Sequence, residues 1–139
     1  MSAVLADTGA LVALLDRRER FHAWAVAQAR ELHPPLLTCD AVLAELCFLI
    51  DELPGGRPTV RQNLADGTWR LAFNLEAERE RVFALMDTYG DQPMSLADAC
   101  LVRMSELHTG ASIFTLDSHF RVYRRNRRQL IPLLIPDEV

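Results

Sequence analysis

The sequence predicts an α/β fold with a mostly parallel sheet and helices on both faces. Two observations carry this. Short apolar runs of strand length, at residues 3–6, 36–38 and 112–115, alternate with longer segments of helical spacing. Turn and stop residues mark the joints: Asp7-Thr8-Gly9, Pro34-Pro35, Pro54-Gly55-Gly56 and Thr109-Gly110. With 139 residues, 50% of them hydrophobic, the chain has enough apolar surface for one core, so residues 1–139 are read as a single domain.

The run 3–6 is too short for a helix and ends at Asp7, which reads as a buried strand with Asp7 at its carboxyl end. A helix follows over 8–15. Residues 21–32 keep helical spacing through Phe21, Trp24, Ala25 and Gln28, and Pro34-Pro35 stops them. Residues 36–38 form the second strand. Asp40 has N-cap chemistry for a helix over 41–53, which ends before Pro54-Gly55-Gly56.

A helix over 59–65, a strand over 69–75 and a helix over 76–89 with alternating charge on its outer face come next. Residues 90–93 make a loop, and Ser95 caps a helix over 96–108. Residues 112–115 form the fourth strand. Residues 131–135, with Pro132 inside them, form an edge strand. In open sheets of this kind, ligand sites lie at the carboxyl ends of the strands.

Four carboxylates stand in apolar company: Asp7 after Ala3-Val4-Leu5-Ala6, Glu45 amid Ala44, Leu46 and Cys47, Asp98 amid Ala97, Ala99 and Cys100, and Asp117 after Ile113-Phe114-Thr115-Leu116. An isolated buried carboxylate costs several kcal/mol, on the order of the effective burial penalty for an ion, unless it is protonated, paired or bound to a cation. A divalent metal ion compensates all four at once. Each acid also has a structural alternative: Asp7 as a helix cap, Glu45 on a solvent face, Asp98 in a capping box with Ser95, and Asp117 as a turn residue. Their combination, two at strand ends and two on helices, favours convergence at one sheet edge. Hard ions such as Mg2+ take carboxylate and water oxygens, and at a phosphodiester they activate water without a side-chain nucleophile.

The net charge of -4 argues against general affinity for phosphate backbones, yet the charge is uneven. All 15 basic residues are Arg, and Arg121, Arg124, Arg125, Arg127 and Arg128 crowd one stretch just after Asp117. This run reads either as a phosphate-binding rim or as a solvated helix face. Cys39, Cys47 and Cys100 form no CxxC pair and are read as reduced core thiols; the four His residues lack zinc-site spacing and are expected at the surface or at edges. No apolar run is long enough to span a membrane, and Asp7 breaks the short apolar start, so the chain is expected to be cytoplasmic.

Taken together, Leu5-Ala6-Asp7-Thr8-Gly9-Ala10-Leu11, Glu45 in its helix, Met94-Ser95-Leu96-Ala97-Asp98-Ala99 and Thr115-Leu116-Asp117-Ser118-His119-Phe120 resemble the PIN-domain ribonucleases, more narrowly the VapC-type toxins of bacterial toxin-antitoxin modules. The resemblance implies a Rossmann-like three-layer α/β/α sandwich and an endoribonuclease dependent on Mg2+ or Mn2+. Asp7, Glu45, Asp98 and Asp117 match the family's acidic metal-site positions, and Thr8 and Thr115 match hydroxyls that support the site. Arg121 and Arg124 are the candidate RNA-positioning cations. A homodimer and a small VapB-type antitoxin, whose tail enters the active-site groove, are also implied. One departure stands out: many relatives carry a second Asp two residues after the fourth acid, where this chain has His119.

Three other functional classes stay in view. A solitary nuclease of the same fold would lack the antitoxin, and a degenerate scaffold would bind RNA or protein without cutting. Covalent phosphoryl transfer at Asp7 is disfavoured, because Gly9 stands where a dehalogenase-type site needs a second Asp, and a receiver-type site needs a Lys.

Overall fold

The computed structural model describes residues 2–139. In chain order the elements are β1 (Val4–Ala6), α1 (Thr8–Leu15), α2 (His22–Glu31), β2 (Leu36–Thr38), α3 (Asp40–Leu49), α4 (Gly56–Ala65), β3 (Trp69–Leu71), α5 (Leu75–Thr88) and α6 (Leu96–Leu107). Then follow β4 (Ser112–Phe114), a 3-10 turn (Ser118–Arg121), β5 (Arg124–Arg125), β6 (Gln129–Leu130) and β7 (Leu133–Leu134). Five strands form a parallel sheet in the order β3-β2-β1-β4-β7. The predicted α/β class and parallel sheet therefore hold.

This order positions the site. From β1 the chain builds outward through β2 and β3, then returns to place β4 on the other flank of β1. The carboxyl ends of β1 and β4 thus flank the point where the winding reverses, which is where open sheets leave a crevice. Leu5 pairs with Ile113 and Ala6 with Phe114, and Asp7 N–H continues the ladder to the Phe114 carbonyl at 3.0 Å.

Side chains from both layers bury the middle of the sheet. Leu5, Ile113 and Phe114 on strands meet Leu11, Leu46, Leu101 and Met104 on helices, all at most 1% exposed. Burying each such side chain is worth about 1.5–3 kcal/mol before chain entropy is counted. Eight of the twelve residues of α6 are buried because the helix lies between the sheet and α5.

Several element boundaries differ from the sequence reading. β3 stops at Leu71, at the sheet edge, where Leu71 is 40% exposed, and Asn74 caps α5 by accepting from Ala77 N–H at 3.1 Å. α3 ends at Leu49, short of 53, and Asp40 lies in its first turn, with Cys39 as the cap residue. α4 begins at Gly56, three residues before the expected start, and the last strand narrows to Leu133–Leu134 on the β4 edge. The Arg-rich run forms no α-helix: Arg121 ends the 3-10 turn and the rest lies in the antiparallel hairpin β5-β6 and its tip. Cys47 is exposed, so only Cys39 and Cys100 are core thiols.

Candidate active site

Asp7, Glu45, Asp98 and Asp117 line one open cavity of about 520 Å3, together with Thr8, Gly9, Ser95 and Leu116. No Arg or His lines it. The fold thereby brings together four acids spread over 110 residues of chain, with no basic side chain among the described residues lining the cavity beside them.

Asp7 follows β1 and caps α1, and both its oxygens are held. Oδ1 accepts from Thr8 N–H at 2.7 Å, and Oδ2 accepts from the Thr115 hydroxyl at 2.7 Å. The helix-cap alternative and the cavity-lining role are both realised, since one carboxylate does both. Burial raises the Asp7 pKa to about 7; hydrogen bonds from Thr115 and Thr8 oppose the shift, and the nearby Asp98 and Asp117 charges add to it.

Asp98 sits in the first turn of α6 in a capping box. Its N–H donates to Ser95 Oγ at 3.0 Å, and Ser95 N–H donates to Asp98 Oδ2 at 3.3 Å. The Tyr123 hydroxyl donates to the same Oδ2 at 3.2 Å. Burial raises the Asp98 pKa and Asp117 adds to the rise, while Ser95 and Tyr123 oppose it. Tyr123 is a site residue that the sequence did not reveal, because nothing in its local sequence ties it to an acid 25 positions upstream.

Glu45 corrects the premise that all four acids are buried. It lies on the exposed face of α3, where Oε1 accepts from the Thr8 hydroxyl at 2.7 Å and Oε2 has no protein partner among the described residues. Asp117 caps the 3-10 turn by accepting from His119 N–H at 2.9 Å, and its Oδ1 lies 2.8 Å from His119 Nδ1. The residue that departs from the family pattern is thus in direct contact with the fourth acid.

The donor set suits a hard divalent cation: carboxylate oxygens only, with one oxygen each on Glu45, Asp98 and Asp117 that has no protein partner among the described residues. As the side chains stand, no three His, Cys, Asp or Glu groups among the described residues are close enough to chelate one ion. Mg2+ does not require that. It keeps several waters and takes about one or two carboxylates directly, so the remaining acids would contribute through bound water.

Arg121 and Arg124 do not line the cavity. Arg121 is exposed and donates to the Val139 carbonyl at 3.1 Å. Arg124 Nη1 donates to the carbonyls of Arg121, Val122 and Tyr123, so its guanidinium closes the end of the 3-10 turn.

The acids thus line the crevice at the winding reversal of the sheet, where open α/β folds bind their ligands. The family model described as PIN domain matches residues 4–126, and the chain belongs to the PIN-domain family. It is 32% identical over 124 residues to "Ribonuclease VapC26" of Mycobacterium tuberculosis, covering 87% of this chain and 92% of that protein. Its fold is similar to the crystal structure of Mycobacterium tuberculosis VapC20, a sarcin-ricin loop cleaving toxin, with a TM-score of 0.71 and 18% identity over 83% of this chain and 90% of the other.

Proposed function

We propose that this chain, as one PIN domain over 1–139, is a Mg2+- or Mn2+-dependent endoribonuclease and the toxin of a toxin-antitoxin pair. One observation carries the reading: four acids from distant elements line a single cavity that contains no basic residue. The likeness to a ribonuclease along most of both chains points to RNA as the polymer that is cut.

When bound, the ion supplies an activated water and neutralises charge developing on the phosphate. The chain's own residues hold and orient. Asp7, at the cavity wall, is fixed on two sides by Thr8 N–H and the Thr115 hydroxyl. Asp98 is fixed through Oδ2 by Ser95 and Tyr123, leaving Oδ1 for the ligand side. Glu45 and Asp117, the more exposed pair, complete the acid ring as the RNA enters. Arg121 positions the strand beyond the cavity, while Arg124 contributes chiefly by setting the turn that carries Asp117.

Phe48 and Leu49, 81% and 59% exposed on α3 beside Glu45, provide an apolar landing for a VapB-type antitoxin segment whose basic side chain would pair with the acids. The homodimer and the cytoplasmic setting belong to the same proposal. Among the described residues no helix is long and apolar enough to cross a membrane.

Incubation of the purified chain with structured RNAs, with Mn2+ and then with chelator, tests the reading. Metal-dependent cleavage that is lost in Asp98→Asn supports it. Cleavage that persists in chelator, or no cleavage of any RNA with either metal, contradicts it.

A further inference from the structure

At the far end of α6 from Asp98 lies a second, oppositely charged site. Glu106 is eight residues along α6 from Asp98, about 12 Å of helix rise, toward the amino ends of the strands. Its side chain is 2% exposed, and it accepts from Arg81 through two bonds of 2.9 and 2.7 Å and from Arg103 at 3.1 Å. Arg103 also donates to Glu78 at 2.6 Å. These bonds lock two guanidiniums in place. Arg81 Nη1 and Arg103 Nη2 have no partner among the described residues, so each keeps donors to offer.

The β5-β6 hairpin completes the site. Asn126 N–H donates to Glu106 Oε2 at 2.6 Å and pins the hairpin tip to α6. Asn126 and Arg127 have φ of 49° and 72°, a left-handed backbone that Asn tolerates and that costs Arg about 1–2 kcal/mol. The bend turns Arg127 onto the same cavity, of about 210 Å3, lined by Arg81, Arg103, Glu106, Asn126 and Arg127. Arg127 has no ion-pair partner among the described residues. Arg125, one residue before the tip, has a buried Nε without a hydrogen-bond partner. Three guanidiniums, Arg81, Arg103 and Arg127, stand against two acids, Glu78 and Glu106, which leaves one excess positive charge on a chain whose net charge is -4.

We propose that this cavity is a phosphate-binding exosite that grips the backbone of the RNA away from the cutting site, with Arg127, Arg81 and Arg103 as the donors. Planar, pre-positioned guanidiniums are the groups best matched to a phosphate, and the left-handed turn brings one of them to the cavity. The proposal rests on the RNA reading for the identity of its ligand. Its physics requires only a polyanionic strand.

The experiment is fluorescence anisotropy of a labelled RNA stem-loop titrated with the full chain in EDTA, where no metal-dependent cutting takes place. Arg127→Glu is expected to weaken binding roughly tenfold at about 50 mM salt and to lower the salt-dependence slope by about one phosphate contact. Arg127→Gly should weaken it in the same direction by roughly threefold while its melting temperature holds or rises, since Gly removes the left-handed strain. Wild-type affinity and slope in both variants would overturn the proposal. Unchanged RNA binding with selective loss of a poly-glutamate peptide would also overturn it, assigning the cavity to an acidic polypeptide. A wild-type chain that cuts RNA while the Arg127 variants bind normally sinks the exosite alone. Weakened binding in a chain that never cuts sinks only the nuclease reading.

Discussion

The Thr115 hydroxyl donates to Asp7 Oδ2 at 2.7 Å and accepts from Asp117 N–H at 2.9 Å, tying the carboxyl ends of β1 and β4 to one buried oxygen. Thr115→Val keeps the shape and removes that oxygen, which strands an N–H and a carboxylate. Urea unfolding is expected to show a loss of about 1–3 kcal/mol, and Thr115→Ser should restore most of it. A Val variant as stable as wild type would mean that the hydroxyl does not organise the site.

Asp7 gives a pH signature in metal-free buffer. Its pKa in the fold, about 7, lies above the ordinary carboxylate value of about 4, so the folded state holds the proton more tightly than the unfolded chain does. Stability from this group is present below about pH 4 and is lost as pH rises toward about 7, by up to a few kcal/mol. Asp7→Asn should flatten that slope, match or exceed wild-type stability at neutral pH and abolish metal-dependent cleavage. The comparison of the two chemical-denaturation curves against pH decides it: identical slopes would contradict the burial argument.

Tyr123 is fully buried, packed edge-on against Tyr89 at 5.1 Å and Phe120 at 5.3 Å, with its hydroxyl on Asp98. Tyr123→Phe retains the rings and leaves Asp98 Oδ2 held by Ser95 N–H alone. The expected results are a stability loss of about 0.5–1.5 kcal/mol and weaker Mn2+ binding by calorimetry. Unaltered Mn2+ affinity would reduce Tyr123 to a packing role.

Glu106 is the counterweight of the Arg cluster. Burial alone would raise its pKa, but Arg81, Asn126 N–H and Arg103 outweigh burial and hold it below the usual range. Its contribution is therefore present above the ordinary carboxylate range and is lost as pH falls through the lowered value, in a more acidic window than that of Asp7. Glu106→Gln should cost about 2–3 kcal/mol near neutrality, discounted for the quarter-exposed Arg partners, and should loosen the hairpin in hydrogen exchange. No change in hairpin protection would contradict the anchoring role.

The parallel sheet was legible because its strands are short, apolar and separated by helices, and Asp7 and Asp117 could be placed at strand ends from the sequence alone. Glu45 was harder: apolar neighbours suggested burial, yet Ala44, Cys47, Phe48 and Leu49 share its exposed face while Leu46 turns to the core. Periodicity reports which residues share a face, and here it could not say that the face is open. The hairpin was missed because its strands are two residues each and its left-handed turn carries Asn-Arg, with no Gly to announce it. Tyr123 was missed because a contact across 25 residues has no local sequence signal.

The most direct test of the acid centre is a Mn2+ titration of the purified chain, followed calorimetrically, beside Asp7→Asn and Asp98→Asn. Saturable binding to the wild type that is lost in both variants, each still folded, is the expected result. Equal Mn2+ binding by all three proteins would contradict the claim that these distant carboxylates act together on one ion.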